Sequence, residues 1–480
     1  MSLDKLVGDA QIIAVICNQF GDTGKGKFSD YFASNWADVT ARGTGGTNAG
    51  HTVDVKGEKR IFHLLPAGIA NDAQGKVTIM GNGMVIDLAA LNEELNDLDS
   101  HKMTYNNLMI SEDAHVTMPY HLEKDQEGKS QRGGGIGTTG RGVGPTYGDK
   151  ITREGIPIRD LFDNDALRKG IEKAIRNYPK QKINIDDTIN YISPYAKRIK
   201  PLVRDTVTEI HNFVREGKRI LIEGAQGLLL SIEHGTYPYC TSSDCSLNGT
   251  ASGVGLPASI VKSFGIVKFP FMTRVGGGPF PTEFGGEQSA LYCAQSNGDG
   301  KPLHSKKNEL EDAKVPYVYE NGEIKYDHHH PNILRLMNSS DPFIKGIGIR
   351  LSAEEYGATT TRPRRIGATD AVMARYAVSI NGPNIILTKA DSIAGIDNFD
   401  ICFGYNLNGQ KKEFNKNPRF LSSVTPVYRT YPGYSNIRDL RNYNDLPSSL
   451  KESKNDFEAF TGGRIVAISV GSERDKTIII

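Results

Sequence analysis

The stretch Gly21-Asp22-Thr23-Gly24-Lys25-Gly26-Lys27 decides how the rest of the chain reads. It follows an apolar run, Ile12-Ile13-Ala14-Val15-Ile16-Cys17, whose composition predicts a strand buried on both faces. It precedes Phe28-Ser29-Asp30-Tyr31-Phe32-Ala33, whose apolar spacing predicts the start of a helix. A strand, a glycine-rich turn and a helix N-terminus together make an anion site, because free backbone N–H groups and the helix dipole both favour negative charge. Glycine lets the main chain approach phosphate oxygens with no Cβ in the way. The stretch fits Gly-x-x-x-x-Gly-Lys, the first part of a P-loop, and then departs from it. Phe28 stands where a Ser or Thr would hold a magnesium ion. Asp22, inside the loop, is the candidate to replace that hydroxyl. The bland alternative is a turn or helix-capping aspartate.

The 480 residues suffice for two or three domains, or for one large α/β domain with insertions. Lys and Arg number 57 against 56 Asp and Glu, so any phosphate-binding charge must be local and no nucleic-acid partner is expected. The five cysteines, Cys17, Cys240, Cys245, Cys293 and Cys402, have neither zinc-site nor disulfide-framework spacing. Residues 1–9 are polar and do not read as a signal peptide, and no apolar run is long enough to span a bilayer. A cytoplasmic protein with no membrane partner is expected.

Further buried strands are expected at Val39–Arg42, Lys76–Met80, Asn107–Ser111, Arg219–Glu223, Asn384–Thr388 and Ile465–Ser469, with a weaker one at Ile266–Phe271. Residues 160–217 read mainly as helix, with Gln181 to Tyr195 less clear. Apolar runs alternating with helical segments predict an α/β fold with a mostly parallel central sheet covered by helices on both faces. Gly128 to Tyr147 is glycine-rich, carries Arg132 and Arg141, and reads as a long mobile loop ordered by an anionic ligand. Residues 285–350 are polar, turn-rich and weakly periodic, and read as an insertion in one domain spanning 1–480. Within them, Asp327-His328-His329-His330 reads as a solvated loop rather than a metal tract.

The loop, followed by Asn48-Ala49-Gly50-His51-Thr52 and then by Ile136-Gly137-Thr138-Thr139-Gly140-Arg141-Gly142-Val143-Gly144-Pro145, resembles the adenylosuccinate synthetases. Glu223-Gly224-Ala225-Gln226-Gly227, Thr241-Ser242-Ser243, Gly278-Pro279-Phe280-Pro281-Thr282-Glu283 and Leu387-Thr388-Lys389-Ala390-Asp391 extend the likeness to the C-terminus, in order. The resemblance implies a GTP- and Mg2+-dependent ligase that converts IMP and L-aspartate to adenylosuccinate through a 6-phosphoryl-IMP intermediate.

That chemistry suits the residues present. The 6-oxygen of hypoxanthine must be activated before it can leave, and removing the N1 proton makes it a nucleophile toward the γ-phosphate. By resemblance, Asp22 is the general base and, with the Gly50 backbone, a magnesium ligand. A carboxylate suits both tasks. His51 would act as general acid, Lys25 would neutralise charge during transfer, and Gln226 would serve at the reacting purine. The resemblance places GTP on Gly21, Asp22, Thr23, Gly24, Lys25, Gly26, Lys27, Gly50, His51, Thr52, Arg364, Lys389, Asp391, Ser469 and Gly471. Asp391 can accept two hydrogen bonds from guanine that adenine cannot supply. IMP would meet Asn48, Ala49, Thr138, Thr139, Gln226, Thr241 and Arg362, with Arg153 reaching in from the second subunit of a homodimer. Ala358, Thr359, Thr360, Arg362 and Arg364 would hold aspartate, since hydroxyls and guanidinium forks suit carboxylates.

Four positions depart from the family pattern: Thr23 for glutamate, Thr361 for glycine, Ala368 for tryptophan, and Asn18-Gln19-Phe20 where Gln-Trp is usual. The retained Asp22 favours IMP, while Thr23 keeps open the same ligase acting on GMP or dGMP; a GTP-binding regulatory protein without ligase activity is a separate alternative.

Overall fold

The computed structural model describes residues 3–55, 58–131, 139–297, 302–320, 322–357 and 361–480, and for 51–55, 58–59 and 128–131 it describes the backbone alone. The chain forms two compact units. The first comprises Met1–Ile16, Lys25–Gly235 and Cys240–Phe264, and the second Cys17–Gly24, Thr236–Tyr239 and Gly265–Ile480.

In the first unit, the strand Ile12–Cys17 lies beside Ile220–Glu223, followed by Val39–Arg42, Val77–Met80, Leu108–Ser111 and Val203–Arg204, every pair parallel. All six residues of Ile12–Cys17 are buried, as a parallel strand covered on both faces requires. The helix Lys25–Asn35 begins at the loop's first lysine and buries Phe28 and Phe32. Phe32 stacks on Phe264 with ring centroids 5.4 Å apart.

In the second unit, Lys262–Lys268, Asn384–Thr388 and Arg464–Ser469 are parallel, and Thr477–Ile479 adds an antiparallel edge. The run expected as one weak strand at 266–271 is two. Lys262–Lys268 ends before a cis Phe269–Pro270 bond, and Phe271–Arg274 joins a second sheet, antiparallel to Arg365–Asp370. Proline lacks the N–H that would carry one ladder through.

A further sequence reading needs correction. Gly128 to Tyr147 is not one long loop. Helix Pro119–Gln131 runs into it, and helix Val143–Thr152 begins inside it. Residues 132–138, with Arg132, lie outside the described residues. Glycine hid the second helix, although Gly142 takes φ 71° at its N-cap, where Asp125 accepts its N–H at 3.0 Å. Gln181 to Tyr195 is largely the helix Ile185–Ile199, capped by Asn184. Residues 285–350, weakly periodic in sequence, carry regular structure among their described positions. They hold helices Gly286–Ala294, Lys306–Asp312, Pro331–Met337 and Pro342–Ala353 and the hairpin Tyr317–Glu320 with Glu323–Tyr326. Leu310, Ile333, Met337 and Ile349 sit in the second unit's core. Short helices with polar outer faces dilute the periodicity a reader relies on. In Asp327–His330, His330 caps helix Pro331–Met337 by accepting the Asn332 N–H, and the His328 ring packs 4.4 Å from Tyr326.

Candidate active site

In the first unit, Lys25 at the helix start donates through Nζ to the Gln226 carbonyl at 3.0 Å. Gln226 has φ 48°, a conformation costly for a residue with a Cβ. The turn sends its amide to Asn48, with Nε2 donating to Oδ1 at 3.0 Å. Asn48 Nδ2 in turn donates to Thr241 Oγ1 at 3.2 Å. Three residues assigned to the purine nucleotide, far apart in sequence, thus form one hydrogen-bonded chain. Beneath them, Arg42 is 1% exposed and donates to the carbonyls of Thr44 and Gly46, both at 3.2 Å. Tyr147 accepts the Gly45 N–H at 2.9 Å and donates to the Gly83 carbonyl at 2.7 Å. Together these fix the turn that leads to Asn48. Glu223, one strand over, is pushed up to about 7, mainly by burial, with the Ala67 N–H and Arg42 opposing.

Ala49 accepts His63 Nδ1 at 2.7 Å through its carbonyl, and Gly50 and Thr139 are exposed. His51 and Thr52 begin the strand His51–Val55, whose side chains are among those not described. Thr138 lies outside the described residues. Arg153 ends helix Val143–Thr152 with φ 64° and is exposed.

In the second unit, Gly21, Asp22 and Gly24 all take positive φ, at 83°, 47° and 80°. Thr388 Oγ1 donates to the Thr23 carbonyl at 2.7 Å, which pins the loop. Thr23 itself is 1% exposed. The Asp22 carboxylate lies 2.8 Å from Arg364 Nε. Arg364 Nη1 reaches Glu355 Oε2 at 2.9 Å, and Glu355 Oε1 is 2.6 Å from Lys268 Nζ. Burial alone would raise Glu355, but Lys268, Arg364 and Lys389 hold it well below the usual carboxylate range. Lys389, with φ 63°, donates to the Ala353 carbonyl at 2.9 Å. Asp391 Oδ2 is 3.6 Å from Arg438 Nε, and Ser469 Oγ donates to the Gly471 carbonyl at 2.9 Å.

The two arginines of the 358–365 stretch part company. Arg364 sits on Asp22 and Glu355. Arg362 instead donates through Nη1 to the carbonyls of Cys293, Ala294 and Gln295, at 2.9–3.2 Å, where helix Gly286–Ala294 ends, and through Nη2 to Ser296 Oγ at 2.6 Å. Ala358, Thr359 and Thr360 lie outside the described residues. Sequence reading missed Arg42, Tyr147, Glu355 and Arg438. Only Arg42, a lone charge ending an apolar strand before a glycine run, gave any signal.

The sequence model of adenylosuccinate synthetase matches residues 14–478. The chain belongs to the adenylosuccinate synthetase family. Among curated relatives, the adenylosuccinate synthetase of Frankia alni is 36% identical over 481 residues, covering 98% of each chain. That of Clostridium perfringens is 36% identical over 478 residues, covering 97% of each. Among solved structures, the fully ligated adenylosuccinate synthetase of Plasmodium falciparum matches with a TM-score of 0.78 at 29% identity, over 98% of this chain and 100% of that one. A succinoaminodeoxyadenylate synthetase of cyanophage S-2L, bound to dGMP and to dATP as an energy donor, shares the fold at a TM-score of 0.54 and 18% identity, over 98% of this chain and 95% of that one. The chain is therefore a GTP-dependent ligase of purine biosynthesis, forming adenylosuccinate from IMP and L-aspartate, on an α/β fold with a mostly parallel central sheet flanked by helices. Among the described residues, no helix is long and apolar enough to cross a membrane.

Proposed function

We propose that Asp22 is the general base of this adenylosuccinate synthetase and that Arg364 serves the GTP phosphates beside it. The observation that carries the reading is the 2.8 Å pair between Arg364 and Asp22, made in a loop held at positive φ. Strain of that kind persists where the surroundings impose it, and it gathers at functional sites. Asp22 takes the N1 proton of IMP, so that O6 attacks the γ-phosphate. His51 acts as general acid on the phosphates, and Lys25 and Lys27 neutralise developing charge. Asn48, Gln226 and Thr241 orient the purine nucleotide. Arg362 takes a carboxylate of aspartate, whose amino group then displaces phosphate from C6. Asp391 selects guanine. The enzyme works as a cytoplasmic homodimer, with Arg153 completing the neighbour's IMP site.

The Asp22 carboxylate, with its side chain 38% exposed, is the kind of hard oxygen donor Mg2+ prefers. When bound, the ion neutralises phosphate charge.

Asp22→Asn keeps the size and removes the base. Turnover should fall by about two to four orders of magnitude, the range for general-base catalysis, with GTP affinity far less changed. Turnover within tenfold of the parent would sink the assignment.

A further inference from the structure

Glu355 is a buried carboxylate that the reaction as described does not use. Its side chain is 1% exposed, and three cations converge on it. Oε1 is 2.6 Å from Lys268 Nζ, itself fully buried, and 4.0 Å from Lys389 Nζ. Oε2 is 2.9 Å from Arg364 Nη1. The main chain repeats the last contact, because the Arg364 N–H donates to the Glu355 carbonyl at 3.0 Å. Burying such a group gives little net stability, since desolvation offsets most of the attraction and an apolar packing of the same volume would serve as well. Its presence therefore calls for a reason in the site.

The reason lies in how Arg364 is forked. One arm, Nη1, is fixed on a carboxylate that no solvent or ligand reaches. The other, Nε, rests on Asp22, whose side chain is 38% exposed. A phosphate oxygen can replace Asp22 on the outer arm and cannot replace Glu355 on the inner one. With the inner arm held, Arg364 keeps its place while Asp22 is released to work on N1. With the inner arm lost, Asp22 becomes the only carboxylate of the pair left to hold the guanidinium.

We propose that Glu355 is a positioning residue for phosphoryl transfer: it anchors Arg364, with Lys268 and Lys389 around it, so that the outer face of the guanidinium exchanges between Asp22 and the GTP phosphates. This rests on the assignment of Arg364 to the phosphates made above.

The test is steady-state kinetics on the full-length enzyme with Mg2+, varying GTP, IMP and aspartate in turn, for the parent, R364L, E355Q and the E355Q/R364L double variant. E355Q should raise the KM for GTP about tenfold, the scale of losing a charged hydrogen-bond partner, while the KM values for IMP and aspartate stay within about twofold. The double variant should be no worse than R364L, because Glu355 acts only through Arg364. If the unpaired Lys268 prevents E355Q from folding, the comparison is made between K268M and K268M/E355Q, in which no buried lysine is stranded. A KM for GTP unchanged by loss of Glu355, an equal rise for all three substrates, or full additivity with R364L overturns the role of Glu355. An R364L enzyme with an unaltered KM for GTP overturns the assignment of Arg364 itself.

Discussion

Asp22, Arg153, Gln226, Thr361 and Lys389 all hold φ between 47° and 64°, a region most side chains avoid. Each was singled out from the sequence as a ligand-site residue or a family departure, and Thr361 stands where relatives are expected to carry glycine. The strain has a measurable size. Gly at position 226 should be more stable to urea than Ala there by about 1–2 kcal/mol, because only Ala retains the left-handed penalty. Both variants lose the amide to Asn48, so both should lose turnover. Equal midpoints for Q226G and Q226A would mean that the turn relaxes at no cost. The identities of these residues were legible in the sequence, since each lies in a short contiguous motif. Glu355 and Arg42 were not, because their meaning comes from partners far away in the chain. Arg42 binds carbonyls in the turn after its own strand and also the His63 carbonyl, and Glu355 meets Lys268 across 87 positions.

Among the elements, the longer strands of the parallel sheet are legible because a buried parallel strand is a short, nearly unbroken apolar run, whereas Arg365–Asp370, Asn398–Leu407 and Thr425–Pro432 of the second sheet are not. Helices Val143–Thr152 and Pro342–Ala353 do not show in the sequence, the first because of its glycines and the second because Gly346, Gly348 and Arg350 fall among its buried positions and break the apolar pattern. The helix Ala371–Asn381 carries a property no pattern shows. Its N-cap, Asp370, is 2% exposed and accepts the Met373 N–H at 3.0 Å. Burial pushes its carboxyl up to about 6, against the Tyr405 hydroxyl and the helix N–H groups, which favour the ionised form. The folded state therefore holds this proton more tightly than the unfolded chain, whose value is 3.8. The group's contribution to folding is full below about pH 4 and is lost as pH rises to about 6. Asp370→Asn keeps an oxygen for the cap and abolishes the titration. Its stability relative to the parent should improve by about 1–3 kcal/mol between pH 4 and pH 7.5, read from urea unfolding at both values. A pH-independent difference would show that the carboxyl titrates alike in both states.

For the whole molecule, the proposed dimer has a direct consequence. If Arg153 acts on the neighbour's site, an R153L subunit paired with a D22N subunit contains one intact site and one doubly damaged site. Equal mixing with free exchange should restore about a quarter of parental activity, since half the dimers are mixed and each has one working site. No recovery after exchange has been verified by mass would make each site self-contained. The strand that carries the glycine loop raises a different matter. Ile12–Cys17 pairs in register with Ile220–Glu223, roughly 200 residues further along the chain. On a ribosome adding about 5–20 residues per second, that first strand waits some 10–40 s for its parallel partner to be made. Throughout that interval an apolar segment stands without the neighbour that later covers its edge. Refolding from denaturant should accordingly be slow and prone to aggregation, and folding in the cell should depend on whatever shields the nascent N-terminus until residue 223 has emerged.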